Sequence, residues 1–447
     1  MTSAALIKKI YNRFSPFEPL KPGSSRYVNC SKVRGEEDVF RELGKKIINS
    51  DRTTYQLYGG HRGAGKSTEL LRLEEYLDKN GCLVVYFDAD LQDVDPQDAD
   101  STDILLACTR HVLRKLQNYA QPETLAKLTQ WFQSRVQELK DVAFAEIEVE
   151  TAQAALDFFS MTIKTVPSSR AAIRKQVDLH GLTLTQILNE LITESHNRLS
   201  GKDKIVVIAD SLDRIELKRL ADGSTNLEQI FVNRADQMRQ LNCHVIYTLP
   251  VSLAYSPAAT QLANLYNDPQ ILPMVKVREK DGAVYAAGLM KLREIIERRI
   301  ASVLTNGTRL DTATEVFASA ELCDRICLMS GGHIRDLIRF VQNAIDWVED
   351  LPITSKAVNR ALAQSRNTYH NAVNAEDWSR LAKVAQAKDI KNMDEYRKLL
   401  FNRCVLEYCD TDDEGELIRW YDVHPLLRLV PEFKEAVEHV NQKVENS

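Results

Sequence analysis

The sequence contains no apolar run approaching the ~20 residues that a membrane-spanning helix needs, no CxxC pair and no histidine at zinc-site spacing. The eight cysteines, at 30, 82, 108, 243, 323, 327, 404 and 409, are scattered and several lie inside apolar segments. They are expected to be reduced, buried small hydrophobes, and a metal or redox framework is not indicated. Charge of neither sign dominates: a formal net charge of -5 over 447 residues gives the whole molecule no electrostatic bias toward nucleic acid or anionic membrane, although local basic faces remain open. The opening MTSAALIKKIYNRF lacks the apolar core and cleavage site of a signal peptide, so the expected location is cytoplasmic. Low-complexity tracts and internal repeats are also missing.

With 44% apolar and 27% charged residues, the composition is that of a soluble globular protein and disorder is not indicated. The length exceeds one ordinary domain of roughly 100 to 200 residues, so two or three are expected.

An arm rich in Pro and Gly, SPFEPLKPGSS, ends near residue 25. Five short apolar runs follow: Thr54 to Tyr58, Cys82 to Phe87, Ile205 to Ala209, His244 to Tyr247, and Ile271 to Val277. Helical patterns separate them, which predicts a doubly wound parallel sheet in an α/β domain. The gap between the second and third runs is far longer than a crossover needs and carries helical patterns, so a helical insertion is expected at about 116–200. Beyond residue 283 the patterns are helical throughout. The tail reads as helix DEYRKLLFNR, strand VLEYC, turn DTDDEG, strand ELIRWYDV and helix PLLRLVPEFKEAVEHV, which fits a winged-helix domain. The expected divisions are an arm at 1–25, a parallel-sheet core at 26–280, a helical domain at 281–372 and a winged-helix-like domain at 373–447.

The segment Gly60, His61, Arg62, Gly63, Ala64, Gly65, Lys66, Ser67, Thr68 satisfies G-x-x-x-x-G-K-[ST], the phosphate-binding loop. Its glycines let successive backbone N–H groups face a phosphate, and the helix that follows presents its positive N-terminal end. Lys66 reaches the β and γ phosphates, and Ser67 offers a hydroxyl to Mg²⁺. The strand before the loop and the leucine-faced helix STELLRLEEYL after it, with Asn80-Gly81 placed to end that helix, supply the context the motif requires.

Such a loop calls for a carboxylate at the end of another buried strand to hold Mg²⁺ through water. Asp210, closing KIVVIAD, is that residue. Hydrolysis also needs a group that orients water. Ser211 occupies the position after Asp210, so Asp213 is the available substitute, or else a turn residue paired with Arg214. Thr248, at the end of CHVIYTLP, is either a γ-phosphate contact or an ordinary turn residue. Arg335, one turn into the helix opened by SGGHIRDL, either reports the γ-phosphate or is a solvated helix residue.

Together these residues resemble the additional-strand class of P-loop ATPases, close to the STAND and KAP groups and similar in layout to AAA+ ATPases of the Orc/Cdc6 type. The resemblance covers roughly residues 27–350 and rests on YVNCSKVRGEEDVFREL, GGHRGAGKST, IVVIADSLDRI and GGHIRDLIRF. It implies a sheet order of 5-1-4-3-2, a helical lid, a C-terminal winged helix, ATP with Mg²⁺, and clustered assembly completed by an arginine from a neighbouring subunit. Arg234 and Arg239, in FVNRADQMRQL, are the positions for that arginine. Arg34, in the order Arg34-Gly35-Glu36-Glu37, stands in the box that lies against the adenine in those families. The missing Glu after Asp210 departs from the AAA+ pattern and suits a slow, switch-like ATPase.

DADLQDVDPQDADSTD, residues 88–103, fails the calcium-loop pattern because Asp93 stands where Gly is required and Ala99 where Glu is required. It is expected to be a solvated acidic loop. Residues 377–447 carry 11 basic against 15 acidic side chains, the wrong sign for gripping phosphate, so protein contact or self-assembly is favoured there over DNA. The leading functional expectation is therefore a nucleotide-driven switch that forms a homo-oligomer or effector surface when ATP binds. A DNA-associated ATPase and a small-molecule kinase are the alternatives.

Overall fold

The computed structural model describes residues 3–35, 38–139, 150–304, 312–391 and 393–445. Glu36 and Glu37 of the adenine box, and the end of the predicted insertion helix beyond Leu139, lie outside the described residues. The chain divides into two compact units, one formed by residues 40–59 and 69–270, the other by 1–39, 60–68 and 271–447.

The strands β1 (Tyr55–Gly60), β2 (Cys82–Asp88), β3 (Lys204–Asp210), β4 (His244–Thr248) and β5 (Gln270–Leu272) form a sheet in the order β2-β3-β4-β1-β5. This is the order the resemblance implies, read from the other edge, and with the phosphate-loop motif after β1 it defines a P-loop α/β fold. The pairs β2–β3, β3–β4 and β1–β4 are parallel. In register, Phe87, Ala209, Tyr247 and Leu57 make one row across the sheet. All four are buried in one apolar core together with alternate residues such as Val85, Val207 and Val245. Strand residues of period two on this face meet the helices Ser101–Leu116, Pro122–Leu139, Ala152–Thr165 and Pro167–Arg198. Burying each large side chain of that kind contributes about 1.5–3 kcal/mol.

The predicted strand at Ile271 to Val277 is cut short. Pro273 has no N–H to give a ladder, and beyond it Met274 N donates to Glu407 O (3.0 Å) and Lys276 N to Val33 O (2.9 Å). Two helix patterns in the insertion, on either side of Gly181, are one helix, Pro167–Arg198. A single interior glycine costs only about 1 kcal/mol, which packing overrides.

The acidic stretch is not a solvated loop. Asp93 and Asp103 are 2% and 1% exposed, and the crowded carboxylates are answered by arginines of the helices Ser101–Leu116 and Pro167–Arg198. Arg170 donates to Asp95 (2.9 Å), Asp98 (2.5 Å) and Ile163 O (2.6 Å). Arg174 reaches both oxygens of Asp103 (2.9 and 2.6 Å). Arg110 pairs with Asp93 at 2.9 Å and Asp157 at 2.5 Å. Charge composition showed the acids, but Arg170 and Arg174 lie about seventy residues from theirs in sequence. Among the described residues no group of three or more His, Cys, Asp or Glu side chains is arranged to hold a metal ion.

The other unit carries the helices Ala286–Ala301, Ala320–Met329, Ile334–Ile345, Ser355–His370, Asp377–Ala387 and Asp394–Phe401, then β6 (Val405–Thr411) and β7 (Leu417–Val423) as an antiparallel pair. The predicted last helix, from Pro425, begins instead at Pro431 and runs to Glu445. Proline pushes the preceding Val430 to extended backbone (φ -81°, ψ 137°) and suits the first turn of a helix. The arm contains a helix the sequence reading did not assign, Ser3–Arg13. It buries Ile10 and Phe14, and Arg299 holds Arg13 O at 2.7 Å. All eight cysteines are buried. No described helix is long and apolar enough to cross a membrane.

Replacing Arg170 with Ala leaves the Asp95 carboxylate and the Ile163 carbonyl without their cation, and leaves Asp98 with Arg174 alone. Chemical denaturation is expected to show a loss of about 3 kcal/mol, while millimolar calcium leaves the wild-type midpoint unchanged. A calcium-dependent rise of the midpoint contradicts the ion-pair reading of residues 88–103.

Candidate functional site

The loop after β1 takes its shape from glycines with backbone angles that other residues avoid: φ is 135° at Gly60, 91° at Gly63 and 113° at Gly65. Gly63 is also required by space. A Cβ there would lie 2.7 Å from Arg335 Cβ and 2.8 Å from His333 Nε2. Lys66 Nζ donates to Gly60 O (2.9 Å) and His61 O (3.0 Å).

Each segment packed around the loop holds one of its residues. Arg34 donates through Nη2 to Ala64 O (2.8 Å) and through Nη1 to Pro273 O (2.6 Å). The N-terminal end of the helix Ile334–Ile345 comes so close that Arg335 N donates to Gly63 O at 3.1 Å. His333, the residue before that helix, accepts from Asp336 N through Nδ1 (3.2 Å). Its Nε2 faces Arg62 O at 2.7 Å and, since a carbonyl only accepts, carries a proton there, while Nδ1 also lies 2.9 Å from Asp336 Oδ2. The turn before it needs Gly332, whose Cβ would lie 1.7 Å from Val275 O. On β6, Glu407 N donates to His61 Nε2 (3.1 Å). From the arm, Leu20 N donates to Thr68 Oγ1 (3.1 Å). The Arg335 side chain turns toward the arm, with Nε on Pro16 O (3.2 Å) and its guanidinium over the Phe17 ring.

Behind His333 lies a buried polar cluster. The Asp336 carboxylate accepts from Arg339 Nη2 (2.6 Å) and from the Tyr369 hydroxyl, with His424 Nε2 3.4 Å away. Burial alone would raise the pKa of Asp336. The imidazoles of His333 and His424 and the Arg403 guanidinium outweigh burial and hold it well below the usual carboxylate range. His61, almost fully buried, has its pKa pulled down to about 3 by burial first and then by the charges of His333, Lys66 and Arg403.

In the other unit, Asp210 closes β3 and is 1% exposed. Its Oδ2 accepts from the Tyr86 hydroxyl (2.7 Å) and its Oδ1 from Ser211 N (2.6 Å). Ser211 has left-handed backbone, φ 67°, and starts the turn Leu212–Arg214. The Thr248 hydroxyl donates to Ala209 O (3.3 Å) and accepts from Leu212 N (2.9 Å), so it clamps the turn that carries Asp213. Asp213 itself is buried at 6% exposure. Arg214 pairs with Asp90. Arg234 is exposed and lies 3.7 Å from Asp178, whereas Arg239 packs over the Tyr55 ring.

Sequence reasoning had not assigned Tyr86, Asp336, Tyr369, Glu407 or His424. One signal was available: a histidine three residues before an aspartate, ahead of an apolar helix pattern, marks a helix start. A tyrosine inside the apolar run of β2 also needed a hydrogen-bond partner.

No protein-family model and no curated protein sequence matches the chain. Solved structures similar to it include the Aeropyrum pernix ORC1 protein in complex with DNA, at 14% identity over 97% of this chain and 98% of that one, with a TM-score of 0.40. The Aeropyrum pernix ORC2 protein in ADPNP–ADP complexes is 13% identical over 98% and 99%, TM-score 0.43. Cdc6p from Pyrobaculum aerophilum is 12% identical over 96% and 98%, TM-score 0.38. The fold assignment stands on strand order and the glycine loop.

Two outcomes test this geometry. In Gly63→Ala the added methyl meets Arg335 in a strained backbone, and a loss of about 2 kcal/mol or more in thermal stability is expected. The second concerns His61, whose folded pKa lies below the ordinary value near 6.5. The unfolded chain therefore binds the extra proton, and stability present above pH 6.5 is lost as pH falls from there toward 3, at about 1.4 kcal/mol per pH unit. Denaturation between pH 7 and 5 is expected to show a shallower slope for His61→Gln than for wild type.

Proposed function

We propose that the chain is a Mg²⁺-dependent ATP-binding and ATP-hydrolysing switch, in which the nucleotide state is read by the segments that grip the phosphate loop. The observation carrying this reading is the set of ties on four consecutive loop residues. His61 is held by β6, Arg62 and Gly63 by the helix that begins at Ile334, and Ala64 by Arg34. A loop bound in this way cannot change shape without disturbing those elements, which is the differential contact a two-state device requires.

The residues fit the ligands. The loop combines left-handed glycines, the Lys66 ammonium and the Ser67 hydroxyl at a helix N-terminus. Asp210 is a carboxylate oriented from both oxygens. Mg²⁺ would supply charge neutralisation at the phosphate oxygens, with Ser67 and Asp210 as the side chains suited to hold it. Lys66 would leave the loop carbonyls to pair with phosphate. Asp213 is the group assigned to orient water, in a turn held by Thr248, and Arg335 and Arg34 act through the loop that they bind. Oligomerisation or effector binding is the output assigned to the switch, with Arg234 as the exposed candidate for completing a neighbour's site.

Lys66→Ala is expected to lower ATP hydrolysis about a hundredfold or more, since positioning and charge stabilisation are the whole of catalysis in this chemistry. Asp213→Asn is expected to keep ATP binding while hydrolysis falls, and light scattering of that variant should show a larger particle with ATP than with ADP. A monomer in every nucleotide state contradicts the switch.

A further inference from the structure

Beside the loop, and within the same unit, is a half-open cavity of about 260 Å³ lined by Arg62, Arg335, Arg339 and Arg403 with the rings of Tyr369 and Phe401. No acidic side chain lines it. We propose that this cavity is a binding site for a small anion bearing two linked phosphoryl groups.

Convergent guanidiniums repel one another unless an anion lies between them, and their planar forks match phosphoryl oxygens. The carboxylate facing Arg339 and Arg403 is Asp336, which is buried and already shared with Tyr369. It takes Arg339 Nη2 at 2.6 Å, while Arg403 Nη1 is 3.7 Å away. Among the described residues, Arg339 Nε and Arg403 Nη1 are buried atoms with no hydrogen-bond acceptor. Leaving a buried charged donor unsatisfied is costly, and a ligand oxygen relieves it. The arginines are also held in place. Arg62 lies over the Phe401 ring at 5.9 Å and Arg403 over the Tyr369 ring at 5.6 Å.

The cavity is distinct from the phosphate loop's own cradle, because Gly65, Lys66, Ser67 and Thr68 do not line it. Arg62 and Arg335 nevertheless belong to, or bind, that loop, so a ligand here would touch the same elements from another side. The proposal does not depend on ATP binding at Lys66.

The test is calorimetric titration of the full chain carrying Lys66→Ala, first with inorganic pyrophosphate and then with ADP. Retention of a saturable pyrophosphate site is expected, and adding Arg339→Gln should weaken it about tenfold or more, the loss of one charge-assisted contact. Arg62→Gln, outside the Asp336 cluster, should do the same, which keeps the test readable if Arg339→Gln fails to fold. ADP binding more tightly than pyrophosphate assigns a nucleotide, and the reverse assigns a free polyphosphate. Absence of saturable pyrophosphate binding in Lys66→Ala, or equal binding in the Arg62→Gln variant, overturns the proposal. Failure of the ATP reading has a different signature, equal ATP binding by wild type and Lys66→Ala.

Discussion

The hydrogen bond from His333 Nε2 to Arg62 O (2.7 Å) is the contact on which the arrangement of this loop depends. It requires a proton on Nε2, since a carbonyl only accepts, and the ring is held from its other side by Asp336, whose backbone N and Oδ2 lie 3.2 and 2.9 Å from Nδ1. It also requires close approach of two backbones, which Gly63 and Gly332 permit. Behind it, Asp336, Tyr369, His424, Arg339 and Arg403 form a buried cluster in which every group is placed by another. A cluster of this kind is expensive to leave half satisfied, so it favours one arrangement of helix, hairpin and loop.

The sheet performs the corresponding task for the carboxylates. Parallel register brings Asp88 and Asp210 to the same level at the ends of β2 and β3, where the apolar rows stop and hydrogen-bonding groups begin. Tyr86 and the backbone of Ser211 orient Asp210, and Thr248 fixes the turn that follows. A strained residue at Ser211 is tolerated because its neighbours on β3 and β4 over-determine it.

Much of this was legible in the sequence, for reasons that are local. Apolar runs of strand length announced β1 to β4, and the glycine pattern announced the loop, since φ near +90° at Gly63 admits little else. The strand order came from resemblance, which put Arg34 in a box against the adenine, whereas its contact with Ala64 O emerged from the structure. What stayed hidden depends on distant pairing. The carboxylates of 88–103 looked solvated because Arg170 and Arg174 are remote in sequence. Arg335 suggested a side-chain role, whereas its backbone N–H is the group on Gly63. Pro273 and Pro431 were readable as breaks at β5 and the last helix, and the apolar patterns around them obscured that.

The phosphate loop is mechanically tied to β6 and to the helix beginning at Ile334. Amide hydrogen exchange with and without ATP and Mg²⁺ measures it directly. Altered protection is expected at residues 405–409 and 333–337 as well as at 60–68. A response confined to 60–68, with the hairpin and helix amides unchanged, would contradict it.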